Sequence, residues 1–409
     1  MIGWYLLKMG VQLDDIFNSV MHDSLFKDKS VLQVRYTPDN IPHREEQIKQ
    51  LASILAPILR GERSSNLFLY GKTGTGKTLS IQYVREQLMK QADRFGVDVR
   101  IEYLNCKLRK VADTEYRILA ALIQKLGGNV PATGLPTDQV YGRFIDLIDN
   151  KKQLIVLVFD EIDQAVSKIS DGFLYNLTRL NSELSQAQIS LIGISNDVTF
   201  LDNIDPRVRS SLGEEEIVFP PYNALQLQDI LNERCKDAFK QGAVDDGVIS
   251  KCAAFAAREH GDARRALDLL RIAGELSERD GKKNIDLKYI DLANKKIEKD
   301  KILDIIETEP KQFQIVLYSI FNLTKEDPNN KFFTGDVYNY YQSVCEKIKT
   351  EVLTQRRVSD IIAEIDMLGL INARVISKGR HGRTREIKLS IPENLRDKAE
   401  AILIESLNL

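Results

Sequence analysis

Apolar residues at Ile48, Leu51, Ile54, Leu55 and Ile58 return every three or four positions, the spacing of one helix face, and Gly61 closes that pattern. Beyond it the pattern changes. Residues 66–70, 99–105, 154–159, 189–194 and 215–219 read as strands, with helical patterns between them at 79–91, through Leu126 and at 138–148. Strands alternating with helices predict an α/β fold with a parallel sheet covered on both faces and ligands at the carboxyl ends of its strands. After Pro220-Pro221 only helices are expected, over 225–241, 245–259, 263–279 and 287–299. A third region begins near residue 301, with helices at 312–321, 334–349 and 354–368 followed by two strands, 372–377 and 384–389. The expected division is 1–219, 220–300 and 301–409, and the charged run 295–301 reads equally well as continuous helix or as tether. Residues 1–30 carry no chemical signature and are expected to be loosely held.

Composition narrows the class without naming it. Of 409 residues 43% are hydrophobic and 28% charged, and Lys+Arg 57 against Asp+Glu 59 leaves a net charge of −2. Fibrous and disordered classes are excluded, and no whole-molecule field draws the chain to nucleic acid, so any such contact needs a local patch. Cys106, Cys235, Cys252 and Cys345 form no CxxC pair, and His22, His43, His260 and His381 do not cluster. Buried thiols in a reducing compartment are expected, with no zinc site. The apolar runs at 4–7 and 154–159 are too short for a signal peptide and for a membrane span, which needs about 20 residues. A soluble intracellular protein with no membrane partner is the expectation.

The first strand runs straight into Gly71-Lys72-Thr73-Gly74-Thr75-Gly76-Lys77-Thr78 and a helix. Glycines at this spacing let successive backbone amides wrap a phosphate, and the helix directs its positive end at the same anion. Lys77 would reach the β- and γ-phosphates and the Thr78 hydroxyl would ligate Mg²⁺. The run ending in Asp160-Glu161 supplies a carboxylate for the magnesium shell and a neighbour able to orient or deprotonate water. Asp163 is expected to be a helix-start or surface acid. Asn196, at the tip of the fourth strand, is placed to touch the γ-phosphate or the water. In Gly261-Asp262-Ala263-Arg264-Arg265, Arg264 is expected to face phosphate and Arg265 the helix surface.

In the third region Val358, Ile361, Ile362, Ile365 and Leu368 form one stripe and leave Arg356, Ser359, Asp360 and Ala363 on the opposite face. The two strands bracket a basic tip with Lys378, Arg380 and Arg383, and Arg374, Arg385 and Lys388 flank it with only Glu386 as an acid. A helix followed by a basic hairpin suits duplex DNA, with Arg356, Ser359, Lys378, Arg380, Arg383 and Arg385 as contacts. Tyr338, Tyr340 and Tyr341 are expected to pack the domain interior.

The ordered set GKTGTGKT, LIVLVFDE, ISN and GDARRAL resembles an AAA+ ATPase. With YTPDNIPHREEQ ahead of it and a winged-helix-like tail, the chain resembles the archaeal replication initiator family over about residues 14–395, a family related to eukaryotic origin recognition and helicase-loading factors. The resemblance implies an AAA+ P-loop parallel-sheet domain with a helical lid and a C-terminal winged-helix domain. It implies ATP or ADP and Mg²⁺ as cofactors. The nucleotide would be held by Tyr36, Ile41, His43, Arg44, the loop from Gly71 to Thr78, Tyr222 and Arg264, and the metal by Thr78 and Asp160. A weak ATPase would be run by Lys77, Asp160, Glu161, Asn196 and Arg264. Arg207 or Arg209 would act on a neighbour's nucleotide, because Ser211 stands where the family usually carries that arginine. A helical element inserted between Cys106 and Leu154 would also touch DNA. The implied partners are double-stranded origin DNA, the replicative helicase and initiator paralogues, and the implied location is the cytoplasm at the nucleoid. A DNA-binding regulator switched by ATP or ADP and a clamp-loader-like ATPase are the alternatives.

Overall fold

The computed structural model describes residues 24–33, 36–38, 40–107, 114–131, 134–326, 332–377 and 383–409. The chain divides into two compact units, Met1–Ile290 and Asp291–Leu409.

In the first unit α1 (Glu45–Leu55) precedes β1 (Asn66–Tyr70), α2 (Lys77–Phe95), β2 (Val99–Asn105), α3 (Glu115–Lys125), α4 (Thr137–Ile148) and β3 (Leu154–Asp160). Two short helices, α5 (Ile162–Ile169) and α6 (Gly172–Arg179), lead to β4 (Gln188–Ser195), α7 (Pro206–Leu212) and β5 (Glu214–Val218). The sheet order is β2-β3-β4-β1-β5 and every pairing is parallel. Strands β1 and β3 are buried along their whole length. Their alternation serves both faces. Leu67, Leu69, Val156, Val158 and Ile192 pack with Ile81 and Val84 of α2, while Phe68, Tyr70, Leu157, Phe159 and Leu191 face α3 to α7. The carboxyl ends of β1, β3 and β4 consequently meet at one rim, where register pairs Tyr70 with Ser195 and Asp160 with Ile194.

Three helices follow, α8 (Ala224–Ala238), α9 (Val248–Arg258) and α10 (Ala263–Arg279). A capping box between Asn223 and Gln226 starts α8, and the Asp262 side chain caps α10 by accepting from the backbone N–H groups of Arg264 and Arg265. Residues 24–30 are not loosely held, contrary to the sequence expectation. The Phe26 and Phe239 rings pack at a tilt with centres 4.7 Å apart, the Leu25 amide donates to Glu278 at 2.6 Å, and Lys29 pairs with Glu275 at 2.6 Å. The segment completes the core of the helical lid.

Helix α11 (Leu287–Thr308) runs through the boundary expected at 300/301, so the charged run is continuous helix. The second unit continues with α12 (Lys311–Glu326), β6 (Phe332–Phe333), α13 (Thr334–Lys347), α14 (Gln355–Met367), β7 (Ile371–Ser377), β8 (Arg383–Leu389) and α15 (Glu393–Leu407). Its antiparallel sheet has the order β6-β8-β7. The stripe Val358, Ile361, Ile362 and Ile365 is buried, but Leu368 is 38% exposed because α14 ends at Met367 and Leu368 is only its cap. Tyr341 is buried, donates to Gln312 Oε1 at 2.5 Å and accepts from the Leu353 amide at 3.0 Å. Among the described residues no helix is long and apolar enough to cross a membrane.

Candidate functional site

The loop after β1 wraps so that Lys77, on the first turn of α2, points back beneath it. Its ammonium donates to Gly71 O at 2.6 Å, Lys72 O at 2.9 Å and Asn196 Oδ1 at 2.9 Å. The Lys77 pKa is pulled down to about 8, chiefly by burial, with Asp160 opposing the shift and Arg264 adding to it. Gly74 has φ +74°, and a Cβ there would lie 1.7 Å from the Asp262 carboxylate, so only glycine lets the lid helix close this tightly on the loop.

Thr78 Oγ1 donates to Asp160 Oδ2 at 3.0 Å, and the Tyr103 hydroxyl donates to the same oxygen. The burial of Tyr103 and its bond to Asp160 push that phenol's pKa up. A hydroxyl beside a carboxylate suits a hard cation that takes its other oxygens from phosphates and water. Among the described residues no group of three or more His, Cys, Asp or Glu could hold a metal by itself. Glu161 has φ 54° at the start of α5, which turns its carboxylate off the strand end toward the cleft, 3.6 Å from Lys107.

Asp163 is a helix-start residue with a second task. Its Oδ1 accepts from Ser195 Oγ at 3.0 Å and from the Asn196 amide at 3.4 Å, so it holds the tip of β4. The reading of Asp163 as a surface acid is therefore too weak.

These groups open into a cleft of about 450 Å³. Tyr36, Ile41, Tyr222 and Arg264 line it, together with Thr73, Gly74, Thr75, Gly76, Lys77 and Thr78 of the loop. Arg265 turns away to pair with Glu259 at 3.0 Å, which leaves Arg264 as the arginine at the cleft. His43 and Arg44, expected beside the nucleotide, do not line it. His43 Nε2 meets Asp229 Oδ2 at 2.9 Å, and Arg44 is buried, with its head on backbone carbonyls. Gly71 and Lys72 also stand outside the lining, with Lys72 Nζ 3.3 Å from His260 Nδ1.

Sequence reasoning missed Tyr103 and Arg234, both in the cleft lining. The Arg234 guanidinium lies 4.5 Å from the centre of the Tyr36 ring, and burial lowers its pKa. Neither residue stands in a spaced motif, so no local signal marks it. Arg207 is exposed and paired with Asp205 at 2.9 Å, and Arg209 meets Asp202 at 3.0 Å. Both lie outside this chain's own cleft lining.

In the second unit Thr354 caps the start of α14, and a groove is lined by Thr334, Gln355, Arg356, Ser359, Thr384 and Arg385. Arg356 is exposed. Arg385 instead donates to Ser359 O at 2.9 Å and Ser359 Oγ at 2.6 Å, bracing the hairpin against the helix. Lys378, Arg380 and the side chain of Arg383 lie outside the described residues.

A family model of the AAA ATPase domain matches residues 40–192, one of the Cdc6 AAA+ ATPase-type lid domain matches 228–295, and one of the CDC6 C-terminal winged helix domain matches 304–399. The ORC1-type DNA replication protein of Thermococcus onnurineus is 52% identical over 386 residues, which is 93% of this chain and 92% of that protein. The chain belongs to the ORC1-type DNA replication protein family. Its relative from Pyrococcus furiosus is 50% identical over 93% of this chain and 91% of that protein. A solved structure of the Aeropyrum pernix ORC1 protein in complex with DNA is 43% identical, with a TM-score of 0.82 over 93% of this chain and 97% of that one. Cdc6p from Pyrobaculum aerophilum, 22% identical with a TM-score of 0.60 over 94% and 99% of the two chains, shares the fold. The ORC1-type architecture is thus an AAA+ ATPase domain, a Cdc6-type lid and a C-terminal winged helix. In this ORC1-type chain the cleft lies where the lid helix α10 meets the phosphate loop of the ATPase domain.

Proposed function

We propose that this ORC1-type protein is an ATP-dependent replication initiator that binds origin duplex DNA and helps recruit the replicative helicase at the nucleoid. The observation that carries the reading is the convergence of Lys77, Asn196, Thr78 and Asp160 on one cleft that Arg264 enters from the lid. Lys77 and the loop amides bind the β- and γ-phosphates of ATP, and Tyr36, Ile41 and Tyr222 border the rest of the nucleotide. Thr78 and Asp160 are the residues that would hold Mg²⁺, and Tyr103 fixes the Asp160 oxygen they share. When bound, the ion neutralises charge on the phosphates. Glu161 orients and deprotonates the attacking water, and Asn196 holds it against the γ-phosphate. Arg264 transmits the presence of that phosphate to the lid. The reaction is a slow conversion of ATP to ADP and phosphate, a switch more than a motor. Arg207 or Arg209 would serve a neighbouring paralogue's nucleotide once released from its acid.

The functional division is an ATPase core to residue 219, a lid over 220–300 and a DNA-binding domain over 301–409. Arg356 and Ser359 enter the major groove from the start of α14, Lys378, Arg380 and Arg383 follow the backbone from the hairpin tip, and Arg385 braces the two. The Aeropyrum pernix ORC1 complex with DNA supports this assignment. Genome-wide mapping of bound sites is the test. One or a few peaks at replication start points are expected. Dispersed promoter peaks would point to a nucleotide-switched regulator, and an absence of chromosomal peaks to a clamp-loader-like ATPase.

A further inference from the structure

Arg44 is charged yet only 1% exposed, and its hydrogen bonds go to backbone carbonyls. Nε donates to Thr75 O at 2.8 Å, Nη1 to His43 O at 2.8 Å and Nη2 to Pro220 O at 2.6 Å. Those acceptors belong to three segments: the phosphate loop, the start of α1 and the link from β5 to the lid. The guanidinium also lies 3.8 Å from the centre of the Tyr222 ring, two residues further along that link. A buried charge bonded only to neutral acceptors is costly, and an apolar side chain would fill the space with less penalty. What arginine adds is a rigid fork of donors with a face that stacks, which can hold three strands of backbone in one geometry.

The contacts continue into the lid. Tyr222 N donates to Gly261 O at 3.3 Å, and a Cβ on Gly261 would lie 2.3 Å from Tyr222 O. Gly261 precedes Asp262, the cap of α10, and Ala263 N donates to Gly74 O at 3.2 Å. The path is therefore a closed ring: Thr75, Arg44, Pro220 and Tyr222, Gly261, the start of α10, and back to Gly74. Arg264 sits on that ring.

We propose that Arg44 is a positioning residue that fixes the lid link against the phosphate loop, so that Arg264 is presented to the γ-phosphate. The inference rests on the nucleotide reading of the cleft and assigns Arg44 to the hinge in place of the base. Arg44→Lys keeps the charge and loses both the fork and the stacking face.

The experiment measures ATP and ADP affinity with Mg²⁺ on the full chain for wild type, Arg264→Ala, Arg44→Lys and the double variant, with thermal melts alongside. Arg264→Ala is expected to lower the ratio of ATP to ADP affinity about tenfold, Arg44→Lys to lower it by a similar factor, and the double variant to lose no more than either, the signature of coupled residues. A purely structural role would lower the melting temperature and leave the ratio alone. A wild-type ratio in Arg44→Lys, losses that multiply in the double variant, or a ratio that Arg264→Ala does not change would each overturn the inference. Should Arg44→Lys fail to fold, Gly261→Ala breaks the ring from its other side and is expected to lower the same ratio, and an unchanged ratio there overturns the inference too. Wild-type protein that binds neither nucleotide would instead remove the reading of the cleft on which this rests.

Discussion

Asp163→Ala separates a positioning acid from a chemical one. The carboxylate holds the end of β4 through Ser195 Oγ at 3.0 Å and the Asn196 amide at 3.4 Å, and Asn196 Oδ1 in turn faces Lys77 at 2.9 Å. A hydrogen bond to a charged acceptor contributes about 1.5–3 kcal/mol, so losing both, the longer of them at the weak end, should cost about 3–4 kcal/mol of stability. The kinetic effect works through position, because a shift of about 1 Å at a reacting centre can cost about a hundredfold. In Asp163→Ala we expect ATP turnover to fall about ten- to a hundredfold with ATP affinity within about threefold of wild type, since Lys77 and the loop amides remain in place. Asp163→Asn keeps a neutral acceptor at the same position and should recover most of the turnover. The assay is single-turnover hydrolysis with affinity measured in parallel. An Asparagine variant as slow as the alanine variant would mean that the charge matters and not the hydrogen bonds. Unchanged turnover in Asp163→Ala would remove Asn196 from the mechanism.

Other substitutions probe the remaining contacts. Gly74→Ala places a Cβ on the Asp262 carboxylate at a φ of +74°, costing about 1–2 kcal/mol for the backbone alone, and should release the lid helix from the loop. Limited proteolysis should then cut faster around residues 220–262, and an unchanged digestion pattern would refute the coupling. Burial pushes the Cys106 and Cys252 thiols up to about 12 from an ordinary 9.0. The folded state therefore keeps protons that the unfolded chain releases, and stability should fall as pH rises from about 9 toward 12. At pH 8 both thiols should resist a disulfide reagent until the protein is unfolded, and rapid labelling of the native protein would contradict their burial. In duplex binding, Arg356→Ala should cost about 1–3 kcal/mol and relax the sequence preference, as for a major-groove contact, whereas Arg385→Ala should weaken binding with little change in preference or salt slope because its head is held by Ser359.

What the sequence could reveal depended on whether the information was local. Strand β1 falls on the expected residues because a doubly buried strand writes a continuous apolar run, and β2 does so because Val99, Ile101 and Tyr103 alternate with the polar Arg100 and Glu102 of an edge strand. Asp160 and Asn196 are legible for the first of these reasons, each standing where an apolar run stops, and Lys77 is legible because it closes the spaced glycine motif from Gly71 to Thr78. The short helices α5, α6 and α7 were missed because seven or eight residues span too few turns to display a period. Helix α15 was missed as well, although Leu395, Ala399, Leu403 and Leu407 are buried at four-residue spacing. Its charged faces dilute that signal. Arg44 and Arg385 show the deeper limit. Arg385 reads as facing a ligand because it is a cation of the basic hairpin, and Arg44 because the family resemblance implies it, yet Arg44 turns inward to backbone carbonyls and Arg385 to a helix. Charge is legible from sequence, but the direction in which a side chain points is set by tertiary packing. Tyr103 meets Asp160 only because β2 and β3 lie side by side in register, which no single segment encodes.

Titration calorimetry of ATP and Mg²⁺ into the full chain stripped of nucleotide, with Lys77→Ala measured beside wild type, tests whether the cleft holds a nucleotide over Lys77. One nucleotide bound per wild-type chain is expected, with a loss of binding of about a hundredfold or more in Lys77→Ala, whose melt should show an intact fold. No heat of binding in a folded wild-type protein, or equal affinity in the two proteins, would contradict that expectation.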